Sequence, residues 1–415
     1  METSPSLMAA KALLYTFGVI LAAGTLGGVI AKRLKVPDVA VFLLVGIVLG
    51  PELLDLIDIR ADSAINQIIL IFGSCYILFD GGASLRLRVL REVWVTIAII
   101  ATVGVLITAA ITATAAYLIM GLPLIVAALL GAATASTDPA TLVPIFKQIP
   151  IKERIAQTVM SESAFNDATG AILTFTVLAL ALGQGEFSLH GSLVELVKQA
   201  SLGILIGGIV GFAAALLLAH ERYAFLGEFG PVVTLMAVSG AYLAADNYHA
   251  SGFMAVFTFG IIIGNKESFG FRMAESEALK MEHFVAEMAL IMRLMIFVLL
   301  GSQVDFALMQ KYWAHGVILV LIFMFVARPL TVFVCTLPDR RARWSFKERL
   351  FMCWTRETGV IPAALAGLLV GMRAPGAEII ASVTFIAILM TILIQATTTP
   401  WLAAKLGVLV EDWQD

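Results

Sequence analysis

Thirteen apolar runs succeed one another along this 415-residue chain, and most are long enough to cross a bilayer as a helix. Such a crossing takes about 20 mainly apolar residues. The runs fall at 7–31, 37–54, 65–83, 92–119, 122–146, 154–183, 191–219, 228–246, 249–265, 279–302, 311–335, 348–372 and 376–404. Hydrophobic residues make up 60% of the chain and charged ones 14%, against roughly 45–50% and 25% in soluble domains. The loops alternate in sign. Lys32, Arg33 and Lys35 follow the first run, Arg86, Arg88 and Arg91 the third, Lys147, Lys152 and Arg154 the fifth, and Arg340, Arg341 and Arg343 the eleventh. Loops between them carry Glu52, Asp55 and Asp58, or Asp246, with few bases. With the basic loops cytoplasmic, the N-terminus lies outside and the C-terminus inside. The fold expected is all-α, a polytopic membrane protein of about thirteen transmembrane helices forming one domain over 1–415.

Several function classes drop out. A net charge of −3 leaves no electrostatic footprint for nucleic acid. Cys75, Cys335 and Cys353 sit in apolar runs without metal-ligand or disulfide spacing, and no cofactor is expected. The first ten residues have neither a positive n-region nor a small-residue cleavage site, so the first run reads as a retained span.

Two of the runs are interrupted. Asp138 stands directly before Pro139 inside the fifth, with Pro144 beyond it. Proline lacks an N–H and disfavours helix at the residue before it, which predicts a break at Asp138. Backbone freed at membrane depth survives only where protein or a water-filled cavity surrounds it. The twelfth run has Gly359 and Pro362 near its middle. Runs four to six and eleven to thirteen then correspond as inverted repeats, each triplet with an interrupted, crossing middle helix. Paired interruptions point to a transport site at the midplane.

The sixth run carries Glu162, Ser163, Asn166 and Asp167, on adjoining faces of one helix by their i, i+4 spacing. A charged residue at the bilayer centre costs roughly 2.5–3.5 kcal/mol on insertion scales, which argues for function. Carboxylate, hydroxyl, amide and freed carbonyl are oxygen ligands, suited to a hard cation. From the residues alone, this is a cation site that also holds a proton.

The motifs TDPATL and SESAFND, about two dozen residues apart, resemble those of the NhaP-type sodium/proton antiporters of the monovalent cation–proton antiporter superfamily. The resemblance implies exchange of Na+ or Li+ for H+ by alternating access, the two ions competing for one carboxylate site. It makes Asp167 the main ion-binding carboxylate and Asp138 the second, with Ser163 and Thr137 completing a Na+ site beside Asn166. Asparagine before Asp167 resembles the electroneutral branch and implies one-for-one exchange. Glu162 then belongs to a structural ion pair. Arg356, Arg328 and Arg293 are available partners, and the resemblance favours Arg356, although it stands three residues before Gly359 where many relatives have arginine next to the glycine. Glu357 competes for Arg356, and Arg328, just before Pro329, could answer the broken-helix carbonyls instead. Asp80, in LFDGG, resembles an acid lining the cytoplasmic approach; its plain reading is a solvated acid balancing Arg86 and Arg88. The resemblance also divides the chain into a dimerising part (7–83 and 228–302), an ion-transporting part (92–183 and 311–404) and a linker span (191–219). It implies a plasma-membrane homodimer with monovalent cations, protons and lipid as partners.

Three rivals stand beside this reading. A K+/H+ antiporter would share the fold. A channel would need a filter sequence, and none occurs. An intramembrane aspartyl protease could use Asp138 and Asp167 as a dyad, but the glycine–x–glycine–aspartate pattern of those enzymes is absent. Residues 268–283 read either as an interfacial amphipathic segment or as a charged extension of the tenth span.

Overall fold

A computed structural model describes residues 5–61, 63–183, 189–219 and 226–410. Among the described residues the chain is helical throughout, save an isolated bridge between Ile151 and Leu409. The first four spans are α1 (Pro5–Leu34), α2 (Asp38–Leu49), α3 (Ala64–Ala83) and α4 (Leu87–Met120). The fifth is two half-helices, α5 (Leu124–Ala133) and α6 (Pro139–Gln148), and the sixth is α7 (Glu153–Ala181). Then come α8 (Leu189–Ala219), α9 (Gly230–Asn247), α10 (Gly252–Gly264) and α11 (Glu275–Ser302). The eleventh span is α12 (Phe306–Ile322) with α13 (Arg328–Thr336), and the twelfth is α14 (Phe346–Trp354) with α15 (Val360–Gly371). The last is α16 (Ala377–Met390) with α17 (Thr397–Leu406). The thirteen spans and both interrupted helices stand where the apolar runs place them. Residues 275–283 extend the tenth span, as the plainer of the two readings had it.

Proline chemistry explains most of the irregularities. Pro139 takes the first position of α6 and Pro362 the first turn of α15, where no N–H is required. Pro144 sits inside α6, and the helix continues through it rather than weakening into a second break. The eleventh and thirteenth spans, expected as plain helices, each contain a π-helical turn, at Phe323–Ala327 and Thr391–Ala396. Pro329 and Pro400 lie a turn beyond. A proline ring collides with the carbonyl four residues back, Phe325 and Ala396 here, and both fall inside the widened turns.

The helices pack in two groups. In one, α10 lies on α3 and α8, while α11 lies on α2 and α3. In the other, α4 packs against α5, α7 and α13, and α12 against α16. The short α2 meets α11 through glycines: a Cβ added at Gly46 would run into the Val298 carbonyl, and one at Gly301 into the Leu43 carbonyl. Backbones approach this closely only where side chains are missing. Gly301→Leu is therefore expected to destabilise by about 1–3 kcal/mol or more through overpacking. Gly240→Leu, at a position whose added Cβ meets nothing within 4 Å, should be neutral. Thermal melting in detergent separates the two, and equal melting temperatures would remove the glycine contact as the basis of the α2–α11 crossing.

Candidate cation-binding site

The two interruptions touch each other. Between α5 and α6 residues 134–138 are non-helical, and between α14 and α15 residues 355–359 are. The Asp138 N–H donates to the Glu357 carbonyl at 2.9 Å. Asp138 is the N-cap of α6: Oδ1 accepts from the Ala140 N–H at 3.2 Å and Oδ2 from the Thr141 hydroxyl at 2.6 Å. On its other side the carboxylate lies against Gly359, at the start of α15, where any Cβ would overlap it. The amide-rich ends of two half-helices thus converge on Asp138, where a negative charge is favoured.

The carbonyl ends of the other two half-helices, α5 and α14, are closed by arginines. Arg356 donates to the Ala135 carbonyl beyond α5 and stacks over the Phe323 ring at 4.0 Å. Arg328 donates from Nε to the Met352 carbonyl at 3.0 Å and reaches the Thr355 carbonyl at 3.4 Å. Its two Nη atoms grip Glu162, Nη2 to Oε2 at 2.9 Å. The Glu162 partner is therefore Arg328 and not Arg356. Arg328 follows the widened turn of the eleventh span, which carries it to both the α14 carbonyls and Glu162. Arg356 is committed to the other break, and Arg293 pairs with Asp38 at 2.8 Å. Two further side chains tie the second break to the thirteenth span: Thr391 accepts the Thr358 N–H at 3.0 Å, and Gln395 donates to the Trp354 carbonyl at 2.8 Å.

The first break is pinned to α7 by a polar ring. The Thr137 N–H donates to Asn166 Oδ1 at 3.1 Å, and its hydroxyl donates to Ser163 Oγ at 2.9 Å. Asn166 Nδ2 returns to the Thr137 hydroxyl at 2.8 Å. Thr137 thus joins the ring, while the capping role falls to Asp138. Asp167 follows on the same helix, fully buried; among the described residues neither of its carboxylate oxygens makes a close hydrogen bond, and the nearby Ser136 hydroxyl, also buried, is likewise unpartnered. Both Glu357 carboxylate oxygens and Arg356 Nη1 are also buried and unpartnered.

Charge makes the arrangement incomplete. Asp138, Glu162, Asp167 and Glu357 are all buried at the centre, and among the described residues the buried bases beside them are Arg328 and Arg356. Were every group ionised, two negative charges would remain uncompensated in a dry interior. Such groups take up a proton or a cation. Asp80 lies outside this cluster, in the last turn of α3, and its partner is Lys147 of α6 at 2.5 Å; neither Arg86 nor Arg88 pairs with it. Arg86 pairs with Glu153 at 3.1 Å.

Residues 17–405 match the family described as “Sodium/hydrogen exchanger, transmembrane”. The chain belongs to that family. It is 31% identical to Na(+)/H(+) antiporter 1 of Methanocaldococcus jannaschii, over 94% of each chain. It is 27% identical to the K(+)/H(+) antiporter NhaP of Alkalimonas amylolytica, over 91% of this chain and 64% of the relative. The fold matches the structure of the sodium proton antiporter MjNhaP1 from M. jannaschii at pH 8 with a TM-score of 0.73 and 28% identity, covering 95% of this chain and 99% of that one. The protein is thus a multi-pass membrane antiporter and not an enzyme, which removes the aspartyl protease reading.

Thr141, Thr391 and Gln395 escaped the sequence reading. Thr141 alone had a signal, three residues beyond an N-cap acid. The arginine assignment has a direct test. Arg328→Gln leaves Glu162 buried and unpaired, at a cost of about 3–5 kcal/mol, and adding Glu162→Gln should restore most of the lost thermal stability. Glu162→Gln should not rescue Arg356→Gln. Rescue of Arg356→Gln instead would return the pair to Arg356.

Proposed function

We propose that this protein exchanges Na+ or Li+ for H+ across the plasma membrane, electroneutrally and one for one, with its C-terminus cytoplasmic. The observation that carries the reading is the Asp167 carboxylate, enclosed beside the Thr137–Ser163–Asn166 ring with both oxygens free. A dehydrated monovalent cation would take oxygens from Asp167, Asp138, Ser163 and Thr137, with Asn166 holding the ring in shape. Protons compete because a buried carboxylate that loses the cation must regain a neutralising partner. Glu357, buried with no partner for either oxygen, keeps a proton throughout and removes one of the two surplus charges. With the other met by the cation or by a proton at Asp167, only the filled or protonated site is free of excess charge, so only those forms cross. The Glu162–Arg328 pair and Arg356 stay charged throughout and hold the two breaks together.

The moving part in this reading is 92–183 with 311–404, turning against a homodimerising part, 7–83 with 228–302, through the linker span 191–219. The dense packing of α4 with α5, α7 and α13 and of α12 with α16 on one side, and of α3 with α10 and α2 with α11 on the other, supports that division, with α8 touching both α7 and α10 as a linker would. Asp80, paired across the two parts with Lys147, would lie on the cytoplasmic approach. The K(+)/H(+) relative keeps potassium as the second reading, since the same oxygen ligands serve either ion and cavity size decides.

The test is cation-driven collapse of an inside-acid gradient in proteoliposomes. Na+ or Li+ should collapse it at a rate indifferent to a clamped membrane potential, and Asp167→Asn should abolish the response. Half-saturating Na+ should rise as pH falls, toward tenfold per pH unit once protons dominate the site. Collapse by K+ alone would move the substrate to potassium. Dependence on voltage would end the electroneutral assignment, and full activity of Asp167→Asn would end the site itself.

A further inference from the structure

Away from the ion site, a cavity of ≈ 560 Å³ opens beside the turn between α1 and α2. Gly28, Lys32, Lys35 and Asp38 line one side of it, Gln148 and Pro400 the other. Phe42, Ile145 and Leu294 give it an apolar wall. Asp38 is already neutralised by Arg293. Lys32 and Lys35 have no acid within ion-pair distance among the described residues, so the mouth carries two uncompensated positive charges. The outer face of α1 is exposed along most of its length and apolar enough to cross a membrane, which places an apolar surface beside the cavity.

An occupant of such a space must be anionic at one end and apolar along the other. A free anion would use the lysines and leave the wall uncovered; a neutral lipid would cover the wall and leave the lysines unanswered. We propose that the cavity binds one anionic phospholipid, its phosphate at Lys32 and Lys35 and an acyl chain along Phe42, Ile145 and Leu294. Basic pockets between spans at the cytoplasmic surface recognise headgroups of this kind, each lysine contributing about fivefold in affinity. The site spans α1, α2 and α11 on one side and α6 and α17 on the other. The lipid therefore touches the half-helix that Asp138 caps without contacting any residue of the cation site.

The experiment is native mass spectrometry of the full-length protein equilibrated with phosphatidylglycerol or phosphatidylcholine of matched chains. The expected result is retention of phosphatidylglycerol over phosphatidylcholine, lowered about 25-fold by Lys32→Gln with Lys35→Gln. Lys266→Gln with Lys280→Gln, the same charge change away from the cavity, should leave retention unchanged. Gly28→Leu keeps both lysines and pushes a side chain into the cavity. An added Cβ there meets only Phe42 carbons, at 3.7 and 3.8 Å, so the helix has room for it. This variant should lose the lipid as well. Equal retention of the two lipids, or unchanged retention in the double lysine variant, would overturn the proposal. So would displacement by millimolar inorganic phosphate with Gly28→Leu still binding, which would leave a plain anion site. A change of oligomeric state with lipid retention intact would assign the face to a second copy of the chain and likewise overturn it.

Discussion

Opening a helix inside hydrocarbon strands carbonyls at one end and N–H groups at the other, with no water to take them. This chain does so twice, and the two breaks bond each other while Arg328, Asn166, Thr391 and Gln395 answer other freed groups. Arg356, from the second break, bonds a carbonyl beyond α5; Asp138, from the first, lies against the start of α15 and bonds Glu357 through its N–H. Gly359 follows from the same contact, since a side chain there would displace the carboxylate.

The reciprocity also sorts the charges by task. Arg328 and Arg356 spend donors on helix-end carbonyls, and Arg328 further holds Glu162 in a two-pronged pair. Those charges are fixed by geometry and hydrogen bonding. Asp167 is built differently: the ring formed by Thr137, Ser163 and Asn166 satisfies its own members and makes no bond to the neighbouring carboxylate, which has the Ser136 hydroxyl beside it and no cationic side chain bonded to it. Under the proposed exchange, this separates residues that maintain the crossing from the residue that changes its occupant. Removing a carbonyl-bound arginine should damage the fold, whereas neutralising Asp167 should damage transport and spare it.

Much of this was legible in the residues. Thirteen spans follow from apolar length, and the break at Asp138 follows from proline's missing N–H and its bar on helix at the residue before it, although Pro144 and Pro400 lie inside continuous helices. That Glu162 needs a buried cation was equally plain. Which cation was not, because Arg293, Arg328 and Arg356 lie on three different spans and the choice turns on where a π-helical turn aims Arg328. Thr391 and Gln395 were hidden for another reason. Threonines in this chain commonly return their hydroxyl to the carbonyl four residues back, as Thr102, Thr114 and Thr174 do, so a threonine in an apolar run carries little signal. Thr391 makes that same bond and also accepts the Thr358 N–H.

The central claim is that, of two surplus negative charges at the crossing, one is met by a standing proton and the other by either a proton or a cation, which replace each other at Asp167. Counting protons released per Na+ bound tests it most directly, by titration calorimetry of the purified protein at one pH in buffers of different ionisation enthalpy. Displacement at a single carboxylate predicts close to one proton released per Na+ near the pH where the site is protonated, and no Na+-linked release in Asp167→Asn. Na+ binding that releases no proton across the pH range where transport runs would contradict it.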